Sequence, residues 1–374
     1  MFGNTFGRLF RVTTCGESYG EGLAIIVDGV PAGLPLTEAD IQPDLDRRRP
    51  GQSPIDSPRG EKDEVRIIAG IMDGVTTGAP VGMIIYNVDR QQIHVDQYHS
   101  YKDIFRPGHA EYTYFIKYGF FTDWRGAGRA SGRETAGRVA GGAVAKKILQ
   151  RENIEILGYV KELYGIRAKE MSFEEIKENR YKNIMNCPDL KTAEKMIQKT
   201  LEIKEEGDTV GGIIEIIARG VPAGLGEPVF DKLDANIAKG MMSIGAVKGV
   251  EIGAGFGATK MKGSENNDIP YIDKDGKIKF KTNNSGGILG GISNGDNIVV
   301  RIAVKPTPTI SKPQQSIDMQ KMKETILSPI TRRDPTICAR IVTVAEAMLA
   351  MVIVDHLMMA KGMDAIAKID KPWK

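Results

Sequence analysis

Cysteine and histidine are scarce in this 374-residue chain, at three and four residues. Cys15, Cys187 and Cys338 are far apart, with no CxxC pair and no histidine at zinc-ligand spacing, which argues against a disulfide framework or a structural metal and for a reduced, cytoplasmic setting. Charge of one sign is missing too. The 51 Lys and Arg nearly balance 48 Asp and Glu, and a formal +3 is too little for a nucleic-acid binder that relies on a general positive field. The longest uncharged apolar run, Ala347 to Val354, is too short to span a bilayer, and MFGNTFGRLFRVTTCG at the N-terminus holds no sustained apolar core. Neither export nor membrane insertion is expected.

What is present suffices for a real core, since 41% of residues are hydrophobic and 26% charged. Length alone allows one large α/β unit or two to three domains. Internal repetition narrows the choice. GVPAGL occurs at Gly29 to Leu34 and again at Gly220 to Leu225, each time after a β-type run and before a helical pattern. GIMDGVTTGAPVGMIIYN from Gly70 is echoed by GILGGISNGDNIVVRIAV from Gly287, and Arg129 to Ala145 more weakly by Arg332 to Met348. These echoes predict one body, 1–374, of two related half-units at about 1–150 and 208–362. Thr37 caps a helix expected to end near Asp46, with Arg47, Arg48 and Arg49 in its tail, either as a solvated end or as anion donors. Asp189 caps another, with Leu190, Ala193, Ile197 and Leu201 on its inner face. The stretch from Asn87 to Asp103, with His94 and His99, reads as a surface loop or lid.

The densest chemistry lies between Phe105 and Lys147, where His109 and five arginines (Arg106, Arg125, Arg129, Arg133, Arg138) share a Gly- and Ala-rich segment with only three acids. Ser131-Gly132-Arg133-Glu134 has the form of a capping box, so a helix should start at Ser131 and bury Ala136, Val139, Ala140, Ala143 and Val144. Free N–H groups at that start, with Arg129 and Arg133 beside them, make an anion site; a packing helix with solvated arginines is the plainer reading. His109, turned out by Pro107-Gly108 among arginines, is biased toward the neutral form and suited to relaying a proton near pH 7. Further on, Gly290 and Gly291 allow close backbone approach, Lys305, Thr307 and Thr309 add a cation and hydroxyls, and Arg332, Arg333 and Asp334 stand at a helix entry. Together these are several phosphate- or carboxylate-sized sockets with almost no candidate nucleophile.

In this order and spacing, RVTTCGESYG, DLDRRRPGQS, RPGHAEYTYFIKYG, GRASGRETAGRVAGGA, SGGILGGISNG, KPTPTI and RRDP resemble the chorismate synthase family over nearly the whole chain. The resemblance implies an α+β fold, a β-α-β sandwich of two topologically similar halves, assembled as a homotetramer. It implies 1,4-anti elimination of phosphate from 5-enolpyruvylshikimate 3-phosphate, a small trianionic substrate, to give chorismate. Reduced FMN is needed without net redox change, and NADPH or a separate flavin reductase supplies the reducing power. Carried over residue by residue, it gives catalytic roles to Ser18, Tyr19, His109 and Asp334, and substrate contacts to Arg48, Arg49, Arg106, Arg129, Arg133 and Arg332. Flavin contacts fall on Arg129, Ala130, Ser131, Gly245, Ala246, Gly290, Lys305, Pro306, Thr307, Pro308, Thr309 and Arg332, with no metal. Two departures stand out. The family motif GESHG reads GESYG here, so Tyr19 replaces a histidine proposed to protonate the leaving phosphate, and a phenol, ordinarily near pKa ~10, is a weaker donor. Pro54 replaces a usual basic residue, for which Arg59 is a nearby substitute. A second reading follows from Tyr19: an FMN- or anion-binding paralogue with weakened or lost turnover.

Overall fold

The computed structural model describes residues 3–330 and 333–367. Thr5–Phe6 (β1), Arg11–Cys15 (β2) and Gly22–Asp28 (β3) lead through the first GVPAGL turn to Glu38–Arg48 (α1). Val65–Ala69 (β4), the hairpin of Ile71–Met72 (β5) and Val75–Thr76 (β6), and Val81–Tyr86 (β7) follow, then Gln92–Ser100 (α2), Glu111–Tyr118 (α3) and Thr135–Arg151 (α4). Glu155–Leu163 (β8), Ile166–Arg167 (β9), Phe173–Asn179 (α5), Leu190–Glu205 (α6) and Gly212–Arg219 (β10) bring the chain to the second GVPAGL turn. Leu233–Met242 (α7), Val247–Ile252 (β11) and Gly263–Asn266 (α8) come next, then the hairpin of Pro270–Ile272 (β12) and Ile278–Phe280 (β13) and that of Ile288–Leu289 (β14) and Ile292–Ser293 (β15). Ile298–Val304 (β16), the hairpin of Gln314–Asp318 (β17) and Lys323–Leu327 (β18), and the long helix Cys338–Ala367 (α9) complete it.

Two five-stranded antiparallel sheets, ordered β1-β2-β3-β7-β4 and β11-β16-β10-β8-β9, flank a layer of helices. Reading inward from β2 and from β8, the order is the same: β2-β3-β7-β4 matches β8-β10-β16-β11, with α1 and α7 after the second strand and α4 and α9 after the last. The second sheet takes its first strand from Glu155–Leu163, upstream of Asp208. The GVPAGL turns are held alike. Thr76 Oγ1 donates to Pro31 O (2.5 Å) and accepts from Leu34 N (2.9 Å), while Ser293 Oγ donates to Pro222 O (2.6 Å) and accepts from Leu225 N (2.8 Å). One buried hydroxyl per half pairs a turn carbonyl and a turn amide that would otherwise be buried unpaired.

Alternation explains the first sheet: Val12 on β2 and Leu23, Ile25 and Val27 on β3 all point to the helix layer and are buried. Against them lies α4, whose Ala136, Val139, Ala140, Ala143 and Val144 are buried as the sequence predicts. Close approach on both of its sides needs glycine. A Cβ on Gly141 would stand 2.7 Å from Val12 Cγ1, and one on Gly142 would collide with the backbone of Ala347 in α9. Lys146 on α4 clamps the layer, its Nζ 2.8 Å from Asp44 Oδ2 on α1 and 2.7 Å from Glu346 Oε2 on α9. Burial would raise the Glu346 carboxyl, but Lys146 and Arg180 hold it at about 2. Cys338–Ala365 is long and apolar enough by composition to cross a bilayer, yet 94% of its most apolar window is buried inside this fold.

Three expectations change. The 87–103 stretch contains α2, built from residues with little helical periodicity. On α6 the buried residues are Ala193, Met196, Thr200 and Ile203; Ile197 and Leu201 pack at the margin and Leu190 is exposed. Thr200 is tolerated inside because its Oγ1 donates to Met196 O at 2.8 Å. Helix α1 keeps its Thr37 cap but runs to Arg48.

The squeeze on α4 predicts opposite effects of one substitution at two helical glycines. Gly142→Ala should lower stability by about 1–3 kcal/mol through overpacking, whereas Gly362→Ala, facing open space on α9, should raise it by up to about 1 kcal/mol. Urea unfolding midpoints read both; equal shifts would contradict the packing.

Candidate active site

The Arg-rich turn before α4 is shaped by Gly126, Ala127 and Gly128, all left-handed (φ 56°, 66° and 50°). A Cβ on Gly126 would stand 2.7 Å from Tyr19 Cε2, so the turn lies directly on that ring. Ser18 N donates to Gly128 O (3.3 Å), and the hydroxyls of Ser18 and Ser131 are 3.3 Å apart. Ser131 Oγ accepts from Arg133 N at 3.3 Å, but Glu134 does not return the contact, because its carboxylate accepts from Arg138 Nε at 2.9 and 3.0 Å. Neither bond of the expected capping box therefore forms, and Ser131 caps Arg133 N instead. A 3-10 turn, Gly132–Glu134, precedes α4 at Thr135.

Arg48, at the end of α1, is buried. Its Nε donates to Thr135 Oγ1 (3.1 Å), Nη1 to Asp63 Oδ2 (2.8 Å) and Nη2 to Gly132 O (2.6 Å). Arg133, also buried, donates from Nε to Asn87 Oδ1 (2.7 Å) and from Nη1 to Asp63 Oδ1. One carboxylate thus serves two guanidinium groups. Burial alone would raise the Asp63 carboxyl, but Arg48 and Arg133 hold it below the usual range. Alongside, Arg59 reaches Glu61 Oε1 (2.8 Å) and Ser18 Oγ and O (both 3.0 Å), with its guanidinium 5.6 Å from the Tyr19 ring centroid.

A second group gathers across a short aromatic ladder, Tyr19 to Tyr98 at 5.4 Å and Tyr98 to Tyr101 at 5.7 Å. Arg106 is buried, pairs with Glu111 through Nε (2.6 Å) and Nη2, and donates from Nη1 to Thr309 Oγ1 (3.2 Å). Lys305 Nζ donates to Gly108 O (3.1 Å), its backbone N to Ala246 O (2.9 Å), and Thr307 Oγ1 to Asp334 O (2.8 Å). The Asp334 carboxylate accepts from Ser57 N (2.9 Å) and pairs with Arg340 at 2.5 Å. Between the ladder and the turn lies a cavity of about 340 Å³ walled by Tyr98, Tyr101, Phe105, Phe115, Trp124 and Ala130.

His109 differs from expectation. Burial first, then Arg106 and, least of all, Lys305 push its imidazole down to about 4 against an upward pull from Glu111, so it is neutral at pH 7 and does not titrate there. Among the described residues its buried Nδ1 has no hydrogen-bond partner and lies 3.8 Å from Glu111 Oε1. Arg129 turns toward β2, with Nη2 bonded to Thr14 O (2.7 Å) and Thr14 Oγ1 (2.6 Å), because strand-end carbonyls lie within its reach. Arg49 stays half-exposed, 3.6 Å from Asp46, away from both groups. Gly245 and Gly290 face open space. Arg332 lies outside the described residues. His94 sits 3.8 Å from Asp89 and His99 packs edge-on against Trp124. Sequence reasoning missed Glu61, Asp63, Asn87 and Glu111. The signal was that several arginines bound for the interior need acids to meet them, and EKDE directly before β4 supplies two.

The family model described as chorismate synthase matches residues 10–358. A chorismate synthase of Acetivibrio thermocellus is 56% identical over 391 aligned positions, covering 100% of this chain and 99% of that one. The chorismate synthase of Methanosarcina barkeri is 56% identical over 358 residues, 96% of this chain and 97% of its own. A crystal structure of chorismate synthase superposes with a TM-score of 0.77 at 34% identity, covering 97% and 96% of the two chains.

The displaced imidazole has a consequence for stability. Unfolded, His109 binds its proton near pH ~6.5; folded, only near about 4. Between those values the unfolded chain holds more protons, so stability falls as pH drops from ~6.5 toward 4, by about 3 kcal/mol in all. His109→Gln should lose correspondingly less stability on acidification from pH 7 to 4.5. Parallel losses in denaturant titrations of the two proteins would refute the assignment.

Proposed function

The chain belongs to the chorismate synthase family, and from its site we propose how it eliminates phosphate from 5-enolpyruvylshikimate 3-phosphate to give chorismate, with reduced FMN as cofactor. The observation that carries the reading is His109: a buried neutral imidazole, with an unpartnered nitrogen, held between Arg106 and Lys305. Such a nitrogen calls for a ligand. Lys305 strengthens the case, since its ammonium meets a carbonyl and no carboxylate among the described residues. The second reading, a paralogue without turnover, finds no support in the comparisons.

In the 1,4-elimination, a proton leaves the ring, its C–H electron pair forms one double bond, the existing ring double bond shifts by one position, and the C–O pair departs with phosphate. The turn at Ser131–Arg133, backed by Arg48 and Arg133, binds and orients anionic groups. An anion close to His109 offsets the Arg106 and Lys305 charges that add to burial in keeping it neutral, so substrate binding favours protonation and readies His109 to hand a proton to the departing phosphate. Ser18 and Tyr19 line the facing wall, with Arg59 bonded to Ser18. Asp334, tied to Ser57 and Arg340, fixes the segment carrying Thr307.

The residues fit a flavin phosphate and ring: among the described residues Lys305 lacks an acid partner and Arg129 is met only by neutral acceptors, and Gly245 and Gly290 leave open space. Lys305 to Thr309, Ser131, Ala130, Gly245, Ala246 and Gly290 would hold it. Reduced FMN, when bound, supplies electron density to the allylic system as phosphate leaves and is not consumed. The same reading includes one domain of two half-units, a homotetramer in the cytoplasm, and flavin reduced with NADPH here or by a separate reductase.

Assayed anaerobically with reduced FMN and the phosphorylated substrate, the protein should release chorismate and phosphate. His109→Ala should slow it by about 10²- to 10⁴-fold and Tyr19→His should speed it. No product above background from the wild type, or full activity in His109→Ala, would reject the scheme.

A further inference from the structure

The Asp63 carboxylate is fully buried, and both of its oxygens accept from arginine, Oδ2 from Arg48 Nη1 at 2.8 Å and Oδ1 from Arg133 Nη1. Its backbone is left-handed (φ 50°), a conformation that side-chain-bearing residues seldom keep unless their surroundings enforce it. Here they do. Gln42 Nε2 donates to Asp63 O (3.3 Å), Gly60 N to Asp89 Oδ2 (3.0 Å) and Val88 N to Glu61 Oε2 (3.1 Å), tying the segment to α1 and to the end of β7.

The two arginines repel each other, and the Arg133 charge is one cause, after burial, of the lowered Arg48 pKa. The carboxylate between them, with Glu61 Oε2 3.8 Å from Arg133 Nη2, makes their proximity tolerable. Both act on the same turn. Arg48 holds Gly132 O (2.6 Å) and Thr135 Oγ1 (3.1 Å), Arg133 belongs to the turn itself, and Ser131 at its head meets Ser18 at 3.3 Å. Each guanidinium has five N–H donors, so both keep N–H groups beyond those bonded within the protein.

We propose that Asp63 is a positioning residue: through Arg48 and Arg133 it fixes the Ser131–Arg133 turn at the spacing that recognises the substrate's anionic groups. This rests on the reading of that turn as the substrate wall. Charge alone is not the role, because a neutral replacement would leave the site more positive while releasing its geometry.

The test compares wild type, Asp63→Asn and Asp63→Glu by calorimetric binding of the phosphorylated substrate and of inorganic phosphate, by KM and kcat, and by thermal melting. Substrate affinity should fall on the order of tenfold to a hundredfold in both variants, the scale of a misplaced binding group, with KM rising more than kcat falls. Asp63→Glu keeps the charge and shifts its position, so wild-type affinity in that variant overturns the proposal. So does a lowered melting temperature with unchanged affinity in Asp63→Asn. Should Asp63→Asn not fold, Asn87→Ala frees Arg133 Nε without unpairing a charge, and its affinity must also fall. Because binding is read without turnover, a wild type that binds substrate but forms no chorismate rejects the proposed function and leaves this test standing; one that binds neither ligand overturns both.

Discussion

Everything in the site depends on how deeply α4 sits between the first sheet and α9. The helix is within contact of Val12 on one side and Ala347 on the other, at distances that admit no Cβ on Gly141 or Gly142. Lys146, bridging Asp44 and Glu346, fixes its rotation and height against α1 and α9. A helix so confined has one place for its N-terminus. The Arg-rich turn that precedes it must emerge against the end of β2, where Ser18 and Tyr19 lie, and beside the end of α1, which carries Arg48.

Once the turn is placed, charge decides what it can bind. Arginine brought into the interior is tolerated only with a counter-charge, and the chain supplies one for most: Glu111 for Arg106, Asp63 for Arg48 and Arg133, Glu61 for Arg59. Two cations differ. Among the described residues Arg129 meets only neutral acceptors and Lys305 only a carbonyl. The near-zero net charge of the whole chain therefore coexists with a local positive surplus where a phosphate-bearing ligand would sit. The overall figure argued against a nucleic-acid binder that relies on a general positive field and said nothing about this surplus.

Local patterns were legible in the sequence, and pairings across the fold were not. The buried face of α4, the Thr37 cap and the twin GVPAGL turns follow from spacing and turn chemistry, and the turns prove to be held by matching hydroxyls, Thr76 and Ser293. The role of Asp63 could not be read this way, since its partners lie 15 and 70 residues away and its own neighbourhood is an irregular, highly charged segment. His109 failed for a related reason. Its position in a Pro-Gly turn among arginines is visible in the sequence, whereas the burial that takes it to about 4 is a property of the closed fold. Helix α2 escaped because tertiary packing, with Tyr98 against Tyr19 and His99 against Trp124, makes up for a weak local pattern.

The same contrast bears on Tyr19, the residue that departs from the family motif. Its ring is buried between the Gly126 backbone, the Arg59 guanidinium and the edge of Tyr98, and Gly126 leaves room for it only because it has no side chain. Tyr98 and Tyr101 then carry packing, without formal charge, toward the pocket of Arg106 and His109. A substitution at 19 is therefore felt along the aromatic contacts as far as Tyr101, while Arg106 and Lys305, the cations that after burial keep His109 neutral, belong to other segments of the chain. Position 19 thus bears on the packing of that wall and not on the charges beside His109, whose burial is the larger cause of its neutrality.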